Sequence, residues 1–250
     1  MTHLKLFVLN VIFLSLVSCL SSTQNNFSGL NPEFKGYVPV RTLVWQCQAW
    51  PQAAVFSQRQ ASNAEKSAWD QACVDFDGFV AKGFDGQPYM KGFSYKALEN
   101  RFTSLKKPDF LQQFSKVFIF PADKLSPKEL QDYYRDVLSP NPAWRSWLNE
   151  LSLDAAHADA LLLPFVISLA EKKFTDRGLW QAQREGHFVM LLVDLSTARL
   201  VWIKEQKTSI KTSEIAAHNI TTHLQYREWT ELFAKTYVKN FWQDYPGRLD

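Results

Sequence analysis

His187-Phe-Val-Met-Leu-Leu-Val-Asp-Leu195, Ser196-Thr-Ala198 and Arg199-Leu-Val-Trp-Ile-Lys204 follow one another directly, and together they set the architecture of the chain. The first segment is the most apolar run beyond residue 19, the second is short and small, and the third is apolar again between charged ends. Two strand-length runs around a brief turn read as a β-hairpin. Asp194 is expected to anchor the turn, and His187 to stand at the start of a strand.

Working outward, Ala160-Leu-Leu-Leu-Pro-Phe-Val-Ile-Ser-Leu169 reads as a further strand. Pro164 cannot donate to a ladder, which predicts an edge or a bulge there. Upstream, Lys116-Val-Phe-Ile-Phe120 is expected to be a short buried strand stopped by Pro121. Ser126-Pro-Lys-Glu129 has the form of a capping box with proline at the first helical position. Behind it Leu130, Tyr133, Tyr134, Val137 and Leu138 fall at helical spacing, up to Ser139-Pro140. Asn141-Pro142 opens a second helix with Trp144, Trp147, Leu148 and Leu151 on its apolar side. Tyr226, Trp229, Leu232, Phe233, Tyr237 and Phe241 mark a final helix that ends before Pro246-Gly247. The second half is therefore read as strand, helices, strand, strand, strand, helix. The fold class expected is α/β (α+β), a mixed sheet with helices packed on it.

The first half is less regular. Residues 38–49 read as a strand and residues 58–72 as a helix. Residues 75–94 interleave glycine with aromatics, as in Gly83-Phe84-Asp85-Gly86 and Tyr89-Met90-Lys91-Gly92-Phe93. Glycine permits the positive φ of tight turns, and aromatics supply anchoring area. Phe84, Tyr89 and Phe93 are the candidate partner-binding residues of a shaped loop. A packed irregular connection would have the same composition.

Composition bounds the function. The chain has 250 residues, 46% hydrophobic and 21% charged, with a formal net charge of +3. That is an ordinary globular mixture, long enough to bury a core without help from a metal or disulfide. So small a net charge does not advertise nucleic-acid binding. Motifs for common chemistry are missing: there is no G-x-S-x-G, H-E-x-x-H, P-loop or dinucleotide fingerprint. Ser104-Leu-Lys-Lys107 matches S-x-x-K, but its S-D-N and K-T-G partners are absent. His218 and His223, five residues apart, share neither a helix face nor a strand face. His157 beside Asp159 could form an acid–base couple or simply close a helix. No metal ligand set and no cofactor is expected. Most of the nine tryptophans and 19 phenylalanines fit a core; Trp50 and Trp180 are the better candidates for exposure, the kind of platform that stacks on sugars.

The amino terminus carries an address. Lys5 is followed by an apolar run through Val17, too short to span a bilayer as a helix and suited to a secretory signal. Leu16-Val17-Ser18-Cys19 then resembles the lipobox of bacterial lipoproteins; an ordinary signal peptide with a chance cysteine is the alternative. The resemblance implies removal of residues 1–18 and lipidation of Cys19, with several acyl chains making a durable anchor. Leu20, rather than Asp, follows Cys19. By the enteric sorting rule that implies the periplasmic face of the outer membrane, held there by palmitate-type acylation. Residues 19–36 form the lipidated tether. Residues 37–250 form one α/β domain, with 37–110 an extension and 116–243 the core. An oxidising periplasm leaves Cys47 and Cys73 as a disulfide or as two buried thiols.

Ala158-Asp-Ala-Leu-Leu-Leu-Pro164, followed after a gap by Val193-Asp-Leu-Ser-Thr-Ala-Arg-Leu-Val-Trp202, resembles envelope lipoproteins with a TolB amino-terminal-like or CsgG-like α/β domain. Ala198 stands where their hairpin pattern D-x-x-T-G has glycine, and a left-handed residue there would cost alanine about 1 kcal/mol. A CsgG-type pore would also need long alternating hairpins, which the sequence does not display. The resemblance implies an outer-membrane-anchored, non-catalytic binding or assembly component, with the membrane and an envelope protein as partners and no nucleic acid. The alternative is a cell-wall glycan-binding or hydrolytic lipoprotein.

Overall fold

The structure, a computed structural model, describes residues 28–55, 76–104, 110–119, 126–154, 157–213 and 244–247. In chain order its strands are β1 (Ser28–Leu30), β2 (Arg41–Val44), β3 (Gln48–Val55), β4 (Lys91–Ser94), β5 (Ala160–Asp176), β6 (Leu179–Asp194) and β7 (Leu200–Ser213). The helices are α1 (residues 76–82), α2 (Tyr95–Ser104), α3 (Phe110–Val117), α4 (Pro127–Tyr133) and α5 (Pro142–Asp154). The strands form one mixed sheet in the order β1-β7-β6-β5-β2-β4, with β3 also paired to β5. β5, β6, β7 and β1 are antiparallel in succession, whereas β2 and β3 run parallel to β5 and β4 parallel to β2. This is the expected mixed sheet with helices on it.

Both faces of the sheet are covered, which explains why its central strands are apolar without alternation. Leu161, Leu163, Phe165, Val189, Leu191 and Val193 face one core with Phe114, Leu130, Tyr134, Trp144, Trp147 and Leu151 from α3 to α5. Ala160, Leu162, Phe188, Met190, Leu192 and Trp202 face the other, with Phe76, Val80 and Phe84. Phe76 stacks on Phe188 with centroids 5.4 Å apart.

The capping box forms as read: the Ser126 hydroxyl accepts from the Glu129 N–H, and Glu129 accepts from the Ser126 N–H at 2.6 Å. α4 continues into a π-turn, Tyr134–Leu138. The Asn141 carboxamide oxygen then caps α5 by accepting from Ala143 N at 2.9 Å.

One strand expectation is corrected. Residues 116–117 end helix α3 rather than opening a strand. Phe114 and Phe118, four residues apart, stack at 5.0 Å and 11° on one helical face, a contact a strand would not make. The strand expected over 38–49 is two short ones, since β2 leaves the ladder at Trp45 and β3 begins at Gln48. Pro164 lies where the partner of β5 changes from β2, paired through Leu162, to β3, paired from Phe165. The bulge in the β5–β6 ladder falls just beyond it, between Val166 and Ser168.

β5 and β6 run far past their apolar halves and meet at Arg177-Gly178, both at positive φ (50° and 79°). That is the two-residue hairpin geometry that suits strand twist. Strands of 17, 16 and 14 residues thus lie side by side, longer than the sequence displays. The proposed helix over 58–72 and the final helix over 226–241 fall outside the described residues.

Candidate functional site

The ends of β5 and β6 converge with the segment leading into β2, and two carboxylates do the joining. The Asp159 carboxylate accepts from the Arg41 N–H at 2.9 Å, while its backbone pairs with Arg41 on one side and Leu195 on the other. Asp194 Oδ1 accepts from the Ser196 hydroxyl (2.7 Å), the Thr197 N–H (2.8 Å) and the Thr197 hydroxyl (2.7 Å), and Oδ2 from the Tyr37 phenol (2.9 Å). Burial opposes its charge, but the bonds from Thr197, Ser196 and Tyr37 outweigh that and hold the carboxyl below its ordinary pKa. Burial first, then the neighbouring Asp194 charge, push the Tyr37 phenol up.

Ala198 takes the left-handed conformation, φ 59°, so the turn keeps the geometry for which the resembling pattern uses glycine. The residue is 4% exposed, and its carbonyl accepts from the buried Tyr134 hydroxyl at 3.2 Å, which in turn accepts from Trp144 Nε1 at 2.9 Å. The turn is therefore fastened to the helical layer from below.

Beside this junction lies an open cleft of about 610 Å³, walled by Tyr37, Asp159, Asp194 and Ser196 and rimmed by Val38, Val40 and Leu153. The three rim side chains are 42%, 47% and 73% exposed. A second cleft of about 350 Å³ shares Leu195 and Ser196 with it and is lined by Arg145, Asn149, Thr197 and Arg199. His157, at positive φ, reaches the first cleft, but Asp159 bonds the Arg41 N–H instead, and no bond joins the two.

The glycine–aromatic segment divides. Residues 76–82 are helical. Phe84 is 2% exposed and meets the Tyr245 ring edge-to-face at 5.6 Å, so its reading as a binding residue is corrected to a core residue. Gly92 explains the tight packing: a Cβ there would sit 2.4 Å from the Phe84 ring. Phe93 is half-buried against the helical-side core. Tyr89 alone stands in solvent, 77% exposed and at φ 69°.

Cys47 is half-buried and disulfide-bonded. Cys73 and Cys19 lie outside the described residues, as do the side chains of Trp50 and Trp180. Two features escaped the sequence reading. Asp77 is a buried carboxylate, and His187 contacts Glu205 across β6 and β7 at 2.6 Å. The His187 pair follows only from the ladder register. Burial holds His187 below its ordinary pKa. Among the described residues no group of three or more acidic, histidine or cysteine side chains could hold a metal, and no helix is long and apolar enough to cross a membrane.

No protein-family model and no curated protein matches the chain. Solved structures do. A PelC dodecamer from Paraburkholderia phytofirmans is similar over 90% of this chain and 99% of its own, at 11% identity and a TM-score of 0.36. The hypothetical protein CT253 from Chlamydia trachomatis covers 82% and 98%, at 7% identity and 0.36. Lipoprotein GNA1162 from Neisseria meningitidis covers 82% and 100%, at 10% identity and 0.36.

Proposed function

We propose that the chain is a lipid-anchored component of the bacterial envelope, held at the periplasmic face of the outer membrane through Cys19, and that it works by binding rather than catalysis. The observation that carries the non-catalytic reading is the state of the cleft's carboxylates. Asp194 accepts four hydrogen bonds and Asp159 a backbone N–H, so both hold strand ends together. A general base needs an accessible lone pair and a pKa tuned upward; Asp194 is shifted the other way. The cleft instead offers solvent three aliphatic side chains beside polar walls, the composition of a contact surface. Cys47 we assign to a bridge with Cys73, the pairing that an oxidising compartment favours.

The reading is tested by placing a photo-cross-linking residue at Leu153 in growing cells. The expected product is a specific adduct with one envelope protein, absent when the same residue replaces exposed Lys128 in the first turn of α4, which lines neither cleft. Uniform labelling at both positions, or hydrolysis of peptidoglycan by the purified chain, would count against it.

A further inference from the structure

β5, β6 and β7 continue well past the apolar stretch that faces the helices, as an arm that ends at the Arg177-Gly178 turn. β1 lies antiparallel to β7, with Ser28 paired to Lys204 and Leu30 to Trp202, so Ser28 is the end of β1 nearest the tip of this arm. We propose that the tip is a docking surface for the bilayer that holds the anchor, resting on anionic phospholipid headgroups. This rests on the lipidation of Cys19 proposed above and adds a second, non-covalent contact to it.

Two lengths select the bilayer. Lys204 pairs with Met190 as well as with Ser28, and from Met190 back to Leu179 β6 takes eleven residue steps along the arm. At about 3.4 Å each, that is roughly 37 Å. Cys19 stands nine residues before Ser28 and so at most about 30 Å from it. Ser28 is therefore held no further from the lipid than the arm is long. The arm extends from that level toward the side on which β1 begins, so the tether itself brings the tip to the surface.

Charge selects the headgroups. Residues 171–185 and 207–213 hold six Lys and Arg against three Asp and Glu, a net +3 with every carboxylate counted, which equals the formal charge of the whole chain. The rest of the chain is thus neutral in sum, and Lys204 and Glu205 at the base of the arm offset each other. Arg177 is exposed at the turn, as is Thr175 near it. Each basic residue close to an anionic surface is worth about fivefold in partitioning.

Any polyanion would answer to charge alone. Phe174, Leu179 and Trp180 also fall within three residues of the turn, paired in register with Gln181, Asp176 and Thr175. Tryptophan beside basic residues is the composition of segments that sit where headgroups meet acyl chains. The arm rests there and does not cross. Successive positions along a strand belong to opposite faces, and the adjacent rows Glu171–Arg184 and Lys172–Gln183–Lys211 put charge-bearing positions on both.

The test uses the purified acylated protein in vesicles of phosphatidylcholine alone or with phosphatidylglycerol, a fraction of the headgroups carrying a quencher. A fluorescent residue replaces Thr175 or, as control, Lys128 on the helical layer. The Thr175 probe should be quenched where phosphatidylglycerol is present and the Lys128 probe should not, and salt should reverse the quenching as it shortens the screening length. Lys172→Gln, Lys173→Gln and Arg177→Gln together should lower the ratio of docked to undocked tip about a hundredfold, the product of three such charges. Equal quenching at Thr175 in uncharged vesicles, no quenching in either, or indifference to the triple substitution would overturn the docking surface. Relief of the quenching by soluble cell-wall fragments would assign the arm to a polymer and overturn it as well. If the triple variant fails to fold, the two vesicle compositions and the salt titration still decide. An acylated protein whose Thr175 probe escapes the quencher rejects the arm contact and leaves the anchor standing; absence of acyl mass at Cys19 defeats the anchor and, with it, the geometry that selects the bilayer.

Discussion

Asp77 shows how much a single side chain can cost. It is 1% exposed, its Oδ2 accepts a long bond from the Lys96 N–H, and its Oδ1 has no well-aligned hydrogen bond among the described residues. Burial pushes the carboxyl up to about 6, against the pull of the Lys96 and Gly78 N–H groups and the Lys96 charge. Its unfolded value is 3.8, so the native state holds the proton more tightly. The sign follows: the group costs nothing below about pH 4, and stability is lost as pH rises to about 6 and beyond. A shift of that size corresponds to about 2–3 kcal/mol. Asp77→Asn should remove this slope, so that urea unfolding of variant and parent diverges between about pH 4 and pH 8 by that amount; parallel curves would show that Asp77 is not the titrating group. None of this was legible beforehand, because nothing in Val74-Asp75-Phe76-Asp77 says which aspartate is buried. Asp194 was legible as the turn anchor, since a carboxylate three residues before a threonine in a tight turn can bond its N–H. Ala198 adopts the conformation that costs it about 1 kcal/mol, roughly offset by its buried methyl.

At the scale of elements, capping chemistry proved the most transparent signal. Ser126 and Glu129 bond reciprocally as the spacing demands, and α4 behind them delivers Leu130 and Tyr134 to the core. Ser126→Ala should remove one of these bonds and about 1 kcal/mol. In a chain of this size that lowers the melting temperature by about 2–4 °C; Ser126→Asp, which restores an acceptor, should recover it. A thermal scan showing no loss for the alanine variant would mean that the helix start is fixed elsewhere. The hairpin at 187–204 was legible because apolar runs and turn residues agreed. Its continuation was not: Glu171-Lys-Lys173 and Arg184-Glu185 carry no apolar period, and their pairing depends on the Arg177-Gly178 turn and on register inherited from the apolar half. Lys116–Phe120 misled for the opposite reason, since a short apolar run is compatible with a strand or a helix end and only its partners decide.

At the scale of the molecule, the anchor and the thiols can be examined together. Cys19→Ala should leave the chain unlipidated and recoverable from the soluble fraction or unprocessed. Its two remaining cysteines, Cys47 and Cys73, should then titrate as no free thiol until reduced. A membrane-bound, cleaved variant would defeat the anchor assignment, and two reactive thiols before reduction would defeat the bridge. Cys19 stands nine residues before Ser28, a span of at most about 30 Å. The chain enters the sheet through β1, only three residues long, fastened by Trp202 Nε1 to Ser28 Oγ and by the Asn31 side chain to the Leu200 carbonyl. Next along the backbone come Glu33, bonded to Arg199, and Tyr37, bonded to Asp194. If Cys19 carries the proposed lipid, tension on it would travel along a short mooring line whose cleats are Trp202, Leu200, Arg199 and Asp194, the same hairpin that walls the larger cleft. Pulling the body away from the bilayer would load that wall before any other part of the sheet.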